Sequence, residues 1–245
     1  MNIEVQSREQ KSNRERRAQI YAALGDPLRV GIVELLEGQD LSPDALAAQL
    51  DIPGNLLAHH LKVLQGAGIV ERSQSRHDRR RTYVHLLPNV LEGAHFGAKE
   101  IAVPRVVFVC THNSARSVLA DAIWKGASDV PSTSAGTHPA DRINPGAQAA
   151  AKRHGYVISQ QKPQLVSTVV TPKDLVVSVC DSVNEELGKI PNAHVHWSIP
   201  DPASVGTGQA FDAAVTDLEG RIAHLSSRVS YLKSSTNSNT RKVRT

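Results

Sequence analysis

At 245 residues, with 40% apolar and 21% charged side chains, the chain has a globular composition and room for two small cores. A formal net charge of +4 permits a nucleic-acid partner without demanding one. Only two cysteines, Cys110 and Cys180, exclude a disulfide framework and a four-thiolate zinc site, so no metal is expected. Free thiols suit a cytoplasmic location.

Residues 1–16 are polar and highly charged, lack the apolar centre of a leader or anchor, and are expected to be a disordered tail. No apolar run approaches the roughly 18 residues that span a bilayer, so no membrane partner is expected. From residue 17 the pattern turns helical, with Tyr21, Leu24, Leu28, Ile32 and Leu35 at helical spacing. Gly25 ends one helix, Asp26 caps the next, and Pro27 suits its first position. Ser42-Pro43 repeats that start before a helix over 44–50. Beyond "DIPG", the segment "NLLAHHLKVLQGAG" predicts another helix, closed by Gly66 and Gly68. "IVERSQSRHDRRRTYVHL" has apolar-rich ends around a polar centre, the pattern of a β-hairpin with a long basic tip. Residues 17–88 therefore read as an α+β winged helix-turn-helix domain. Asn55, His59 and Lys62 on the second helix of the motif are candidate major-groove contacts. Arg76, Arg79, Arg80 and Arg81 at the hairpin tip are candidates for phosphates or the minor groove of operator DNA.

Residues 89–103 read as a linker. Beyond Pro104, strands and helices alternate: strand "RVVFVC", a helix over about 114–125, strand "STSAG", helix "PGAQAAAKRHG" and strand "DLVVSVC". After "HVHWSIPDP" a final helix carries one apolar stripe of Phe211, Val215, Leu218, Ile222, Leu225, Val229 and Leu232. This order predicts an α/β domain with a central parallel sheet over 104–232. Residues 233–245, without acidic side chains, are expected to be a flexible basic tail.

The stretch "VVFVCTHNSARSVLADAIW" places Cys110 at a strand end, before a loop of small polar residues that opens a helix at about Arg116. Successive backbone N–H groups of such a loop curl inward, and the helix start adds partial positive charge. A thiol there is favoured as a nucleophilic thiolate. Arg116 presents a planar fork to two oxygens of one anion. Ser114 or Ser117 donates to the sulfur, Asn113 braces the backbone, and His112 tunes the loop. The alternative for either cysteine is an inert buried residue.

This stretch resembles the active-site loop of the low-molecular-weight protein tyrosine phosphatase family, which includes arsenate reductases of the same fold. "STSAGTHP" (132–139), "INPGAQAAAKRHGYVIS" (143–159), "DLVVSVC" (174–180) and "IPDP" (199–202) follow in family order, so the resemblance covers about 104–230. It implies the low-molecular-weight phosphatase fold, Cys110 as nucleophile and Arg116 as oxyanion clamp. Thr111, His112, Asn113, Ser114, Ala115 and Ser117 then form the oxyanion-binding loop, and Asp201 is the general acid. The expected ligand is arsenate or phosphate.

Two departures weigh on the reaction. Family tyrosine phosphatases carry aromatic residues after Asp-Pro, and "DPASVGTG" has none. Cys180 ends another strand, where thioredoxin-coupled reductases keep a thiol, but their third cysteine is missing from "DSVNEELGK". The leading expectation is an arsenate reductase with no bound cofactor, using an external reductant: mycothiol, glutathione or a thioredoxin system. A tyrosine phosphatase and a regulator with a non-catalytic oxyanion- or redox-sensing domain stay open. The first domain resembles the ArsR-type repressors, which implies a homodimer. Ser42, Pro43 and Asp44 stand where arsenic-sensing members hold cysteines.

Overall fold

Helix α1 (Ile3–Leu24) opens the computed structural model, which describes residues 3–87, 100–159, 162–188 and 192–232. Residues 3–16, expected as a disordered tail, belong to this helix. Between Glu4 and Arg17 most residues are Glu, Gln, Lys or Arg, straight-chain helix formers, and no Gly or Pro interrupts before Gly25. Asp26 then caps α2 (Pro27–Leu36), accepting the N–H groups of Leu28 at 2.9 Å and Arg29 at 3.2 Å. Ser42 caps α3 (Pro43–Leu50) by accepting the Ala45 N–H at 3.2 Å. Each cap satisfies donors that a first turn leaves unpaired, and proline at the first position has none to lose. Gly68, at φ 66, turns the chain out of α4 (Gly54–Gly66). The facing sides of these helices bury Ile20, Ile32, Val33, Leu36, Leu46, Leu57, Leu61 and Leu64 in one core. β1 (Val70–Gln74) and β2 (Thr82–Leu86) form the expected antiparallel hairpin, and Leu41 bridges to Val84 beside it.

A second core fills the α/β part. Its elements are β3 (Ile101–Val103), β4 (Val106–Cys110), α5 (Arg116–Ala127), β5 (Ser132–Gly136), α6 (Pro145–Arg153), α7 (Val166–Val169), β6 (Leu175–Ser178), α8 (Asp181–Leu187), β7 (Ala193–His196), α9 (Pro202–Val205), α10 (Gly208–Ser226) and β8 (Val229–Tyr231). The sheet order is β5-β4-β6-β7, parallel throughout. β4 and β6 are buried along their whole length, as apolar strands covered on both faces must be. Phe108 of β4 packs its ring 5.8 Å from that of Trp124 and 6.0 Å from that of Trp197. α10 packs on both α5 and α6.

Two boundaries differ from expectation for one reason. The expected linker includes 101–103, which instead form β3, paired in parallel with β8 through Ile101↔Val229. The final helix stops at Ser226, so Val229 and Leu232 are not its last turns. Their spacing continues the helical stripe by coincidence, while a strand partner 128 positions earlier takes Val229 into a ladder. The remainder of the expected linker, 89–99, and the expected tail, 233–245, lie outside the described residues.

The two cores meet through polar groups. Buried Asp40, just before α3, accepts Arg221 Nη1 at 2.9 Å and the Ser198 N–H at 2.7 Å. Its own N–H donates to the His196 carbonyl at 2.7 Å. Trp197 Nε1 donates to the Gly38 carbonyl at 2.6 Å, and Arg228 Nη1 to the Glu37 carbonyl at 2.8 Å. Tyr83 of β2 lies 4.7 Å from the His196 ring and accepts Asn184 Nδ2 at 3.0 Å. Burial pushes the Tyr83 hydroxyl up to about 12. Among the described residues, no helix is long and apolar enough to cross a membrane.

Candidate active site

β4 delivers Cys110 to the C-terminal edge of the sheet, opposite Gly136 of β5. Parallel sheets bind ligands at that edge. Between Cys110 and α5 runs a loop, four of whose flanking carbonyls are held from one side. Thr137 N–H donates to Cys110 (3.3 Å), His138 to Thr111 (2.8 Å), Ala140 to His112 (3.0 Å) and Asn144 to Ser114 (2.9 Å). In a trans peptide the N–H points opposite to the C=O. The N–H groups of Thr111, His112, Asn113 and Ala115 therefore face away from the 137–144 segment. α5 starts at Arg116, later than Ser114, with no side-chain cap on its first turn. Donors on one side of such a loop suit an oxyanion. A Cβ on Gly136 would stand 2.7 Å from the Thr111 carbonyl and 2.8 Å from the Asn113 nitrogen. Only glycine lets β5 approach the loop this closely.

Asn113 is fully buried at φ 47, a left-handed conformation that asparagine tolerates. Its Oδ1 accepts the Gln164 N–H at 2.7 Å, which fixes the amide orientation. Nδ2 then donates to Ser117 Oγ at 2.9 Å and to Ser134 Oγ at 2.8 Å. Ser117 Oγ, which accepts from Asn113, lies 3.1 Å from Cys110 Sγ, within hydrogen-bond distance. Of the two serines expected to serve the sulfur, Ser117 reaches it. His112 is exposed, with Nδ1 3.0 Å from the His138 carbonyl.

Arg116 Nη1 donates to the Ile199 carbonyl at 3.1 Å, and Nη2 lies 3.4 Å from Asp201 Oδ2. Asp201 also caps α9 by accepting the Ala203 N–H at 3.2 Å. Cys180, at the start of α8, has Sγ 3.6 Å from Thr111 Oγ1. Burial pushes the Cys180 thiol up and the neighbouring Cys110 adds to this, while Arg116 opposes both. Both cysteines are buried and unbridged.

A pocket of about 560 Å³ opens over Arg116, Cys180 and Asp201, while Cys110 and residues 111–115 are not part of its lining. Arg116, Cys180, Asp181, Ile199 and Asp201 form one side; Gln74 at the end of β1 and Ser75, Arg76 and Arg79 of the β1–β2 turn form the other. Among the described residues, no aromatic side chain lines it. The turn is held to α8: Ser75 Oγ donates to Glu185 Oε1 at 2.6 Å, and the Arg76 N–H to Asp181 Oδ2 at 2.9 Å. Burial alone would raise the Asp181 carboxyl, but His196 at 3.4 Å and the Arg76 N–H hold it below the usual range.

The expected DNA-facing residues divide into two groups. Asn55, His59 and Lys62 are exposed on one face of α4, opposite buried Leu57, Leu61 and Leu64. Arg80 forks onto Asp78 with two 3.0 Å bonds, and Arg81 lies 3.9 Å from the same carboxylate. Those Arg80 bonds bring the Asp78 carboxyl down to about 2. Arg76 and Arg79 stand apart from this cluster, at the pocket.

The sequence profile of the low molecular weight phosphotyrosine protein phosphatase family matches residues 105–235. The chain belongs to this family. A helix-turn-helix domain profile matches residues 24–73, so the phosphatase-family domain follows a helix-turn-helix domain in one chain. Similar solved structures include arsenate reductase from Archaeoglobus fulgidus DSM 4304, at 28% identity over 50% of this chain and 98% of that one, TM-score 0.44. The tyrosine phosphatase Wzb from Escherichia coli K30, in complex with sulphate, is 20% identical over 51% and 97%, TM-score 0.46. A YwlE mutant from Bacillus subtilis is 20% identical over 50% and 96%, TM-score 0.45. No curated protein sequence matches.

Within the phosphatase-family domain, Ser134, Gly136 and Gln164 are parts of the loop's support that sequence reasoning missed. Gly136 had a signal, a glycine at the C-terminal end of a parallel strand. Gln164 had none, since it acts through its backbone N–H on Asn113 and its side chain on the Ser134 carbonyl.

Proposed function

We propose that the phosphatase-family domain reduces arsenate to arsenite with an external thiol reductant. In this reading, the helix-turn-helix domain is an ArsR-type regulator that binds operator DNA as a homodimer. One observation carries the choice of reaction: Cys180 lines the same pocket as Arg116 and Asp201, beside the Cys110 loop, and among the described residues no aromatic side chain walls it for a phenyl ring.

Arsenate seated on the loop takes the fork of Arg116, which neutralises charge as the thiolate approaches. Cys110 Sγ attacks arsenic, one As–O bond breaks, and Asp201 supplies the proton with which that oxygen leaves as water. Bonding to arsenic removes the negative charge that opposed ionisation of Cys180. Cys180 Sγ then attacks Cys110 Sγ. The S–As bond breaks, its electron pair stays on arsenic, arsenite leaves, and a Cys110–Cys180 disulfide forms. An external dithiol of the thioredoxin class returns two electrons to that disulfide. With mycothiol or glutathione, one small thiol displaces Cys110 from arsenic and a second attacks the sulfur now bound to arsenic. The S–As electron pair stays on arsenic, arsenite and the disulfide of the two small thiols leave, and Cys180 is not needed.

The test is arsenite release by the purified chain, with thioredoxin, glutathione and mycothiol systems supplied in parallel. Cys110→Ser is expected to abolish it with every donor. Loss in Cys180→Ser with thioredoxin marks Cys180 as the relay thiol. A second reading, hydrolysis of a small phosphomonoester, is favoured by the lack of a third cysteine after Cys180. It predicts steady p-nitrophenyl phosphate hydrolysis that survives Cys180→Ser, with no arsenite from any donor. Turnover of neither substrate leaves an oxyanion- or redox-sensing regulator.

A further inference from the structure

The β1–β2 turn belongs by sequence to the helix-turn-helix region and by position to the pocket beside the Cys110 loop. Arg76 and Arg79 are exposed and line the pocket that Arg116, Cys180 and Asp201 also line. Their neighbours Arg80 and Arg81 are engaged with Asp78. Among the described residues, neither the Arg76 nor the Arg79 guanidinium has an ion-pair partner. Three guanidinium groups thus border one cavity, and only Arg116 has a carboxylate beside it, Asp201 at 3.4 Å. The other carboxylate of the lining, Asp181, already accepts the Arg76 backbone N–H and faces His196.

We infer that the β1–β2 turn is a shared binding element, in which Arg76 and Arg79 serve either an oxyanion in the pocket or DNA phosphates, so that the two ligands oppose each other. The inference rests on the oxyanion reading of the pocket and the DNA reading of the first domain. A small tetrahedral anion on Arg116 brings negative charge to a cavity rimmed by unpaired cations, which holds the turn against α8. DNA phosphates on Arg76 and Arg79 take those cations and cover the mouth of the pocket. Each ligand then lowers the affinity of the other by one factor, because coupling between binding sites is reciprocal. The charge pattern also selects the anion: two further guanidinium groups beyond Arg116 favour a small, multiply charged oxyanion over an aryl ester.

The experiment uses the full chain carrying Cys110→Ser, so that anions bind without reacting. The probes are inorganic phosphate and a duplex DNA oligonucleotide, at fixed ionic strength because DNA binding falls steeply with salt. Phosphate affinity is measured with and without saturating DNA, and DNA affinity with and without saturating phosphate. Both are expected to weaken by the same factor, about fivefold or more. Arg76→Ala/Arg79→Ala is expected to weaken both ligands and bring the factor to one. Lys62→Ala on α4 weakens DNA alone and keeps the factor. Binding of both ligands with no mutual effect overturns the shared element and leaves both underlying readings standing. Failure of phosphate to bind, or of DNA to bind, overturns the corresponding reading and the inference with it.

Discussion

Ser117 Oγ lies 3.1 Å from the Cys110 sulfur, and Asn113 Nδ2 holds that oxygen in place from 2.9 Å. The Gln164 N–H fixes the Asn113 amide, the amide donates to the Ser117 oxygen, and the Ser117 O–H is the group that donates to the sulfur when Cys110 attacks as a thiolate. A hydrogen bond to a charged acceptor contributes about 1.5–3 kcal/mol. Ser117→Ala is therefore expected to lower turnover by about tenfold or more. Iodoacetamide labelling of Cys110 at neutral pH, in a Cys180→Ser background, is expected to slow alongside. Unchanged labelling would mean that the hydroxyl does not serve the sulfur.

Gly136→Ala tests the close approach of β5 to the loop. The added Cβ meets backbone atoms, the Thr111 carbonyl and the Asn113 nitrogen, which cannot swing aside as a side chain tip does. Overpacking of this kind costs about 1–3 kcal/mol. The sharper expectation is functional. Phosphate stabilises the parent against heat through binding to the folded state, and the variant is expected to lose that gain. A variant that keeps the full phosphate-dependent rise in Tm would show that the loop tolerates displacement.

The direction of the Cys180 shift gives a pH signature. Burial, which persists after Cys110 has bonded arsenic, favours the protonated thiol, so its ionised fraction keeps rising above the ordinary thiol range near 8.5. Arsenite release through Cys180 is expected to climb with pH across that range. Aryl phosphate hydrolysis, which does not use Cys180, is expected to lack that limb. For stability the sign is opposite: the folded state prefers the protonated thiol more than the unfolded chain does. The contribution is whole below the ordinary thiol value and is lost as pH rises through the raised one. Cys180→Ser removes both dependences, and a reductase whose alkaline limb survives that change releases arsenite without Cys180.

Asp40→Ala addresses the junction between the two cores. It leaves Arg221 with Asp217 alone and strands the Ser198 N–H, a loss of about 3 kcal/mol for a buried pair with one partner removed. Urea unfolding is expected to separate into two transitions, with the helix-turn-helix core melting first. Asp40→Asn, which retains an acceptor for Ser198, is expected to lie between. A single, unshifted transition would mean that the junction does not couple the cores.

The parts of this structure legible in sequence are those whose causes lie within a few residues. Asp26-Pro27 and Ser42-Pro43 announce helix starts because the capping oxygen and the proline act within one turn. The Cys110 loop is legible because strand, loop and arginine must be contiguous for the chemistry. Asp40 and Arg221 are 181 positions apart, and no local pattern joins them. Proximity in sequence groups Arg76 with Arg79, Arg80 and Arg81. The hairpin places it on the other side of a turn, against α8, where tertiary packing rather than composition decides its neighbours.

The pairing of β3 with β8 fastens the beginning of the α/β part to its end, with the Leu232 N–H on the Val103 carbonyl and the Ile101 N–H on the Arg228 carbonyl. Because the pairing is parallel, the chain enters this ladder at Ile101 and leaves it at Tyr231 from opposite ends of a three-residue pair, about 10 Å apart. The α/β part is thereby a closed cassette whose two leads run along adjacent strands. Such a unit accepts a fused module without rethreading, and a circular permutant that joins those leads and opens a loop elsewhere is expected to keep its sheet intact.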